Sequence, residues 1–114
     1  METLIYLNSD RMGVGDDKLG NILVRNFLIS VKEELIKEKA VSVFLVNSGV
    51  RLACEGTPVK DVLDDFVAAG AKVFSCGTCL DFFGVREKLV VGEAGGMKYF
   101  ASKSCDPSVR IVRP

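Results

Sequence analysis

The residues best equipped for chemistry are four cysteines, in a chain that contains no histidine. Two of them lie in Ser75-Cys76-Gly77-Thr78-Cys79-Leu80-Asp81, where an apolar, strand-like run gives way to a helical period. Unpaired N–H groups and the positive end of a helix dipole at such a junction favour a thiolate. Thr78 followed by Asp81 resembles a capping box, which predicts Thr78 as the cap and Cys79 as the first helical residue. Cys76 then sits just upstream of the helix end, and Gly77 lets the backbone bend sharply between the two sulfurs. The competing expectation is that both are small buried fillers, a common role for free cysteine. Cys54 and Cys105 each stand alone, whereas a structural zinc site wants two such pairs. The spacing therefore implies no metal. Cys105 reads as a core or surface thiol, while Cys54 falls in a loop on the same sheet edge as the CxxC.

The absence of histidine excludes Ser-His-Asp and Cys-His nucleophile pairs, histidine metal sites and histidine acid–base catalysis together. Fifteen Lys and Arg balance fifteen Asp and Glu. This leaves no basic surplus for neutralising nucleic-acid phosphates. No apolar stretch is long enough to span a bilayer, and no signal peptide is visible at the N-terminus. The expectation is a cytoplasmic protein with no nucleic-acid or membrane partner and no cofactor. At 114 residues, 48% hydrophobic and 26% charged, residues 1–114 should form a single domain around one core.

Two further loops could frame the cysteines. Asp10-Arg11-Met12-Gly13-Val14-Gly15-Asp16-Asp17 contains glycines and opens a helix, but matches neither a dinucleotide fingerprint nor a P-loop. Its acidic end would repel an anion, so it suits one wall of a thiol pocket, with Met12 and Gly13, or a turn with no binding role. Asn47-Ser48-Gly49-Val50-Arg51 supplies polar groups and a cation, although Arg51 could equally pair with a surface carboxylate. Gly92–Met97 could close the pocket.

The elements that must position these residues follow from periodicity. Leu4–Leu7, Val41–Val46, Ala71–Ser75, Val90-Val91 and Val109–Val112 read as strands. Leu19, Ile22, Leu23, Phe27, Val31 and Leu35 recur at spacings of three and four, predicting a helix capped by Asp16 or Asp17. Thr57-Pro58 predicts an N-cap and first helical residue, with Val59, Val62, Leu63, Phe66 and Val67 buried and Gly70 as the stop. A third helix runs to about Phe83 and is extended or repeated over Arg86–Lys88, and a fourth covers Met97–Ser104. Strict alternation implies an α/β three-layer sandwich with a five-stranded, mostly parallel sheet. The commonest topology gives the flavodoxin-like order 2-1-3-4-5. The loops after strands one and three, Ser9–Asp16 and Cys76–Cys79, would then meet at the topological switch point.

Three stretches also carry a family resemblance: Asn47-Ser48-Gly49-Val50-Arg51-Leu52, Cys76-Gly77-Thr78-Cys79-Leu80-Asp81-Phe82-Phe83-Gly84-Val85, and Glu87-Lys88-Leu89-Val90-Val91-Gly92. They resemble the C-terminal domain of the YedF family, described as sulfurtransferase-like and linked to selenium metabolism. Met12-Gly13 through Asp16, with Leu19-Gly20, fits that domain's N-terminal loop. More broadly the chain is similar to DsrE/DsrF-like sulfur-relay proteins, which share a parallel five-stranded α/β fold and commonly form trimers or hexamers. In that group a persulfide-carrying cysteine follows the third strand, before a helix ending near Arg-Gly. Cys76 occupies that place and Gly84 lies at the matching distance. Phe83 stands where the Arg would be, so the Arg's role does not carry over. Cys79 is an addition to the usual pattern. The full YedF architecture includes an upstream TusA-like domain with its own cysteine, which this sequence lacks; an excised domain and a stand-alone version are both compatible with that.

The resemblance implies a cysteine-based sulfur or selenium carrier and a homo-oligomer, with donor and acceptor proteins, among them a TusA-like domain, as partners. Cys76 would hold the chalcogen as a persulfide, stabilised by the N–H groups of Gly77–Leu80. An acceptor thiol, or Cys79 through a Cys76–Cys79 disulfide, would release it. The implied pocket residues are Met12, Gly13, Asn47, Ser48, Gly49, Gly77, Thr78 and Met97. The alternative from another class is a non-catalytic small-ligand- or partner-binding module of the same fold. A thioredoxin-type reductase is disfavoured by element order, and because Pro58, Pro107 and Pro114 do not supply that fold's cis-proline region. A flavin site lacks a phosphate loop.

Overall fold

A computed structural model describes residues 1–35, 37, 38 and 40–114. Five strands, β1 (Glu2–Leu7), β2 (Ala40–Leu45), β3 (Lys72–Cys76), β4 (Glu93–Gly95) and β5 (Val109–Val112), alternate with four α-helices. The helices are α1 (Asp17–Leu35), α2 (Lys60–Ala68), α3 (Gly77–Phe83) and α4 (Met97–Ser104). Short 3-10 helices cover Asn47–Ala53 and Arg86–Lys88. Every strand pair is parallel, in the order β4-β3-β2-β1-β5. The class is the one the alternation implied. The strand order is not: β3 pairs with β2 rather than β1, and β5 lies beside β1 instead of β4.

Right-handed crossovers stepping from β1 to β4 in one direction place α1, α2 and α3 on one face of the sheet. The return from β4 to β5 carries α4 to the other face. Tyr6, Phe44 and Phe74 lie in register across β1, β2 and β3. They meet α4 through ring pairs Tyr6–Phe100 at 4.5 Å, Phe44–Phe100 at 5.4 Å and Phe74–Tyr99 at 4.8 Å. On the opposite face Ile5, Val43 and Val73 join Val24 and Leu28 of α1 and Leu63 and Phe66 of α2 in the buried core.

Asp16 does cap α1, its Oδ1 accepting the Leu19 N–H at 2.8 Å. The buried stripe, however, is Gly20, Val24, Leu28 and Leu35, and Leu19, Ile22 and Leu23 face outward. This helix is apolar on two faces, and Gly20 selects between them. A Cβ there would stand 2.8 Å from the Arg11 Cβ, so only a glycine face can pack against that loop. α2 starts at Lys60 without a side-chain cap. Thr57 closes the preceding turn instead, its Oγ1 taking the Val59 N–H at 3.3 Å. Val59, Val62, Leu63 and Phe66 are buried as expected, while Val67 is exposed. Gly70 follows the helix with φ 96°. Val90 and Val91 form no strand: both donate their N–H groups to the Ala53 carbonyl, at 2.9 and 3.3 Å. The chain turns at Gly92 (φ 70°) against the Val73 carbonyl, and β4 begins only beyond it. No helix among the described residues is long and apolar enough to cross a membrane.

Candidate functional site

Because β3 is flanked by β2 and β4, the loop after β3 meets the loop after β2. Cys76 is the last residue of β3 and occupies the N-cap of α3. Thr78 is therefore already inside the helix and caps nothing. Asp81 turns instead to Arg86, whose Nε donates to its Oδ1 at 2.7 Å. The Arg86 guanidinium also donates to the Gly77 carbonyl at 3.2 Å. A Cβ on Gly77 would lie 2.8 Å from that guanidinium, so the glycine serves close packing under Arg86. α3 ends at Gly84 in the left-handed conformation (φ 66°).

The two sulfurs differ in reach. Cys76 is buried, with 3% of its surface exposed, whereas Cys79 is half-buried. Cys79 opens on a cavity of about 280 Å³ lined by Asn47, Thr78, Phe82 and Phe83. The Asn47 backbone N–H donates to the Cys79 Sγ at 3.1 Å. Asn47 reaches that position with φ 52°, a left-handed backbone held by its own side chain, whose Oδ1 accepts the Ser48 N–H at 2.8 Å. Burial pushes the Cys79 thiol above its ordinary range; the Asn47 N–H opposes this, and the neighbouring Cys76 sulfur adds to it. The junction thus places two free sulfurs near enough for Cys76 to influence Cys79. For Cys79, burial outweighs the helix end and the thiol moves up, not down.

Arg51 stands beside this cavity. Its guanidinium lies 4.6 Å from the centroid of the Phe83 ring. Among the described residues it has no carboxylate within ion-pair distance, unlike Arg11, Arg25, Arg86 and Arg110. The ordinary surface pairing open to this residue is thus not the one it adopts.

The remaining sequence-derived candidates divide. Asn47 and Thr78 line the cavity at Cys79, and Ser48 is joined to Asn47. Gly49 is buried and structural: a Cβ there would lie 2.5 Å from the Leu7 carbonyl oxygen. Met12, Gly13 and Met97 do not line the cavity at Cys79. Met12 packs beside the core with its N–H on the Gly20 carbonyl at 3.0 Å, and Gly13 is an exposed turn residue with φ 86°. Met97 is 52% exposed at the start of α4. Cys54 is a buried thiol donating to the Val50 carbonyl at 3.2 Å, and burial raises its pKa. Cys105 is exposed at the end of α4. Phe82 and Phe83, not among the pocket residues expected from sequence, both line the cavity, Phe82 with 83% of its surface exposed. Two aromatics three and four residues after Cys79 on one helix were the available signal.

No protein-family model matches the chain, and no curated protein matches it. Solved structures do. The ychN protein from E. coli aligns with TM-score 0.75 at 17% identity, covering 100% of both chains. MTH1491 from Methanobacterium thermoautotrophicum, a protein of unknown function, aligns with TM-score 0.71 at 13% identity, over 99% of this chain and 98% of that one. BT1422 from Bacteroides thetaiotaomicron, also of unknown function, gives TM-score 0.66 at 16% identity, over 99% and 95%. At these identities the likeness is one of fold.

Proposed function

We propose that this chain is a cysteine-based sulfur or selenium carrier of the sulfur-relay type, acting through Cys79. The carrying observation is that Cys79 opens on a cavity while its sulfur accepts the Asn47 N–H, with the buried Cys76 three residues before it at the same strand-to-helix junction. The resemblance of the CGTCLDFFG run to YedF-type domains supports a carrier, though it puts the sulfur on Cys76. Relative to the expectation from sequence, the cysteines exchange roles: the reachable sulfur carries and the buried one resolves. The Cys79 thiolate attacks the outer sulfur of a donor persulfide, forming Cys79–S–SH and releasing the donor thiolate. An acceptor thiolate then takes the outer sulfur. Alternatively, Cys76 attacks the Cys79 Sγ and expels hydrosulfide, leaving a Cys76–Cys79 disulfide that a dithiol reductant must reopen. A raised pKa lowers the thiolate fraction but leaves that thiolate more nucleophilic. The Asn47 N–H remains on the sulfur as charge develops.

Such exchange belongs in a reducing compartment such as the cytoplasm. Its partners are a donor and an acceptor, for which the exposed Phe82 at the mouth offers an apolar contact; a TusA-like domain and further copies of the chain fit the same resemblance. The raised Cys79 pKa and the burial of Cys76 favour one other reading, a binding module of this fold without turnover.

Intact-mass spectrometry after exposure to a persulfide donor separates these. A gain of one sulfur atom is expected in the wild type and in Cys76→Ala, and not in Cys79→Ala. Loading lost in Cys76→Ala and kept in Cys79→Ala would return the carrier role to Cys76. A folded protein that gains no sulfur in any form supports the binding module.

A further inference from the structure

A second cavity, of about 230 Å³, lies on the other side of Arg51 and is lined by Asp10, Asn21, Arg51 and Glu55 among others. It holds groups of opposite charge that do not satisfy each other. Asp10 Oδ1 is buried and accepts no hydrogen bond. Its ion-pair contact, Arg11 Nε at 3.4 Å, lies outside hydrogen-bond geometry, and Arg11 is committed to Asp17 at 2.7 Å. Arg51 in turn has no carboxylate within reach among the described residues, although Asp10 and Glu55 line the same space. Asp10 Oδ1 itself is out of solvent reach, and the exposed part of the side chain, 28% of it, is what a ligand in the cavity meets. The rim is fixed, since Arg25 of α1 ties the Pro58 carbonyl and the Asp61 carboxylate together at 2.8 Å each.

We infer that this cavity binds a small α-amino acid as its zwitterion, with the carboxylate on Arg51, where a bidentate pair forms. The ammonium sits on Asp10, and Asn21 is a neutral hydrogen-bonding partner. The mixture of charges selects against a simple anion, which Asp10 and Glu55 would repel, and against a simple cation, which Arg51 would.

The site is also connected to the thiol. The Asp10 N–H donates to Ser48 Oγ at 3.3 Å, the Ser48 N–H to Asn47 Oδ1 at 2.8 Å, and the Asn47 N–H to Cys79 Sγ at 3.1 Å. Arg51 makes a second link by stacking on Phe83, a wall of the Cys79 cavity. An amino acid pulling on Asp10 and Arg51 therefore acts on both groups that frame the sulfur. This coupling rests on the reading of Cys79 as the reactive group, whereas the binding does not.

The test is titration of the reduced protein with L-serine, followed by calorimetry and by backbone amide chemical shifts. Saturable binding is expected, with shifts centred on Asp10, Asn21 and Arg51. Ethanolamine, lacking the carboxylate, and propionate, lacking the ammonium, should each bind on the order of tenfold more weakly or worse. Arg51→Gln, at an exposed position, should fold and lose binding by a similar factor; Asp10→Asn, checked by thermal melting, should do the same. Absence of saturable binding overturns the inference, as does affinity unchanged in Arg51→Gln or equal affinity for propionate. Repeating the titration on Cys79→Ala separates the two readings. Binding that survives there keeps the amino-acid site even if no sulfur is ever loaded on the wild type. The coupling is read as a change in the Cys79 alkylation rate when L-serine is added to wild type, and an unchanged rate at saturation refutes it.

Discussion

Asn47 sets the position of the donor on Cys79, and substituting it separates the backbone from the side chain. Its φ of 52° makes it the one non-glycine residue with positive φ among the described residues. An ordinary L-residue in that region costs about 1–2 kcal/mol, which Asn offsets by local hydrogen bonding. Here the compensating bond is Oδ1 to the Ser48 N–H at 2.8 Å, worth about 0.5–1 kcal/mol net at an exposed site. Asn47→Ala loses that bond while the strain of a Cβ in left-handed backbone stays, so it should destabilise by about 0.5–1 kcal/mol. Asn47→Gly loses the same bond but carries no Cβ, and should be about 1 kcal/mol more stable than the alanine variant. For a domain of this size, that separates the two melting temperatures by about 3–6 °C. Urea denaturation with a common m-value measures the same gap as a shift in midpoint. Both variants keep the N–H on Cys79, so their alkylation rates should stay within about threefold of wild type. An alanine variant as stable as the glycine variant would refute the strain argument. A large rate change in Asn47→Gly would show that the side chain, not the backbone, governs the thiol.

Three other outcomes follow from the same geometry. Because the Cys76 sulfur helps raise the Cys79 pKa, Cys76→Ala should move the midpoint of Cys79 alkylation against pH downward, and an upward move contradicts the contact. Cys54 and Cys79 both titrate above their ordinary value of 9.0 in the fold. The folded state therefore holds protons that the unfolded chain releases, and stability should be intact below about pH 9 and fall as pH rises beyond it; a urea midpoint that climbs between pH 9 and 10 has the wrong sign. Asp61 is held down to about 2 by the Arg25 guanidinium. Its contribution should be present above pH 4, fade as pH falls toward 2, and be missing from that window in Asp61→Asn, as measured by denaturation along an acid series.

What could be read from residues alone was whatever their neighbours in sequence decide. Met97–Ser104 and Val109–Val112 have the bounds that the sequence pattern implied, because Gly95-Gly96 and Asp106-Pro107 punctuate them locally. The strand-to-helix junction at Cys76 was legible for the same reason. The order of strands was not, since pairing β3 with β2 and β5 with β1 depends on which edges remain open in three dimensions. The buried face of α1 was equally hidden: Leu19, Ile22 and Leu23 make as good a stripe as Val24 and Leu28, and the choice rests on how the Arg11–Met12 loop meets Gly20. The relative exposure of Cys76 and Cys79 turns on a single residue, Cys76 closing the strand and not beginning a loop.

The pairing of β1 with β5 has a consequence for how the chain comes off the ribosome. β1 is made before β2, which it gains as a partner early, but its other edge waits for β5, synthesised after the other four strands, with Glu2 opposite Val109 and Leu4 opposite Ile111. Until then a strand carrying Thr3, Leu4 and Ile5, all fully buried in the finished fold, presents an open row of backbone groups to its surroundings. The four residues of β5 thus act as a late closure, and a nascent chain stalled before them is the form of this protein most apt to recruit a neighbour.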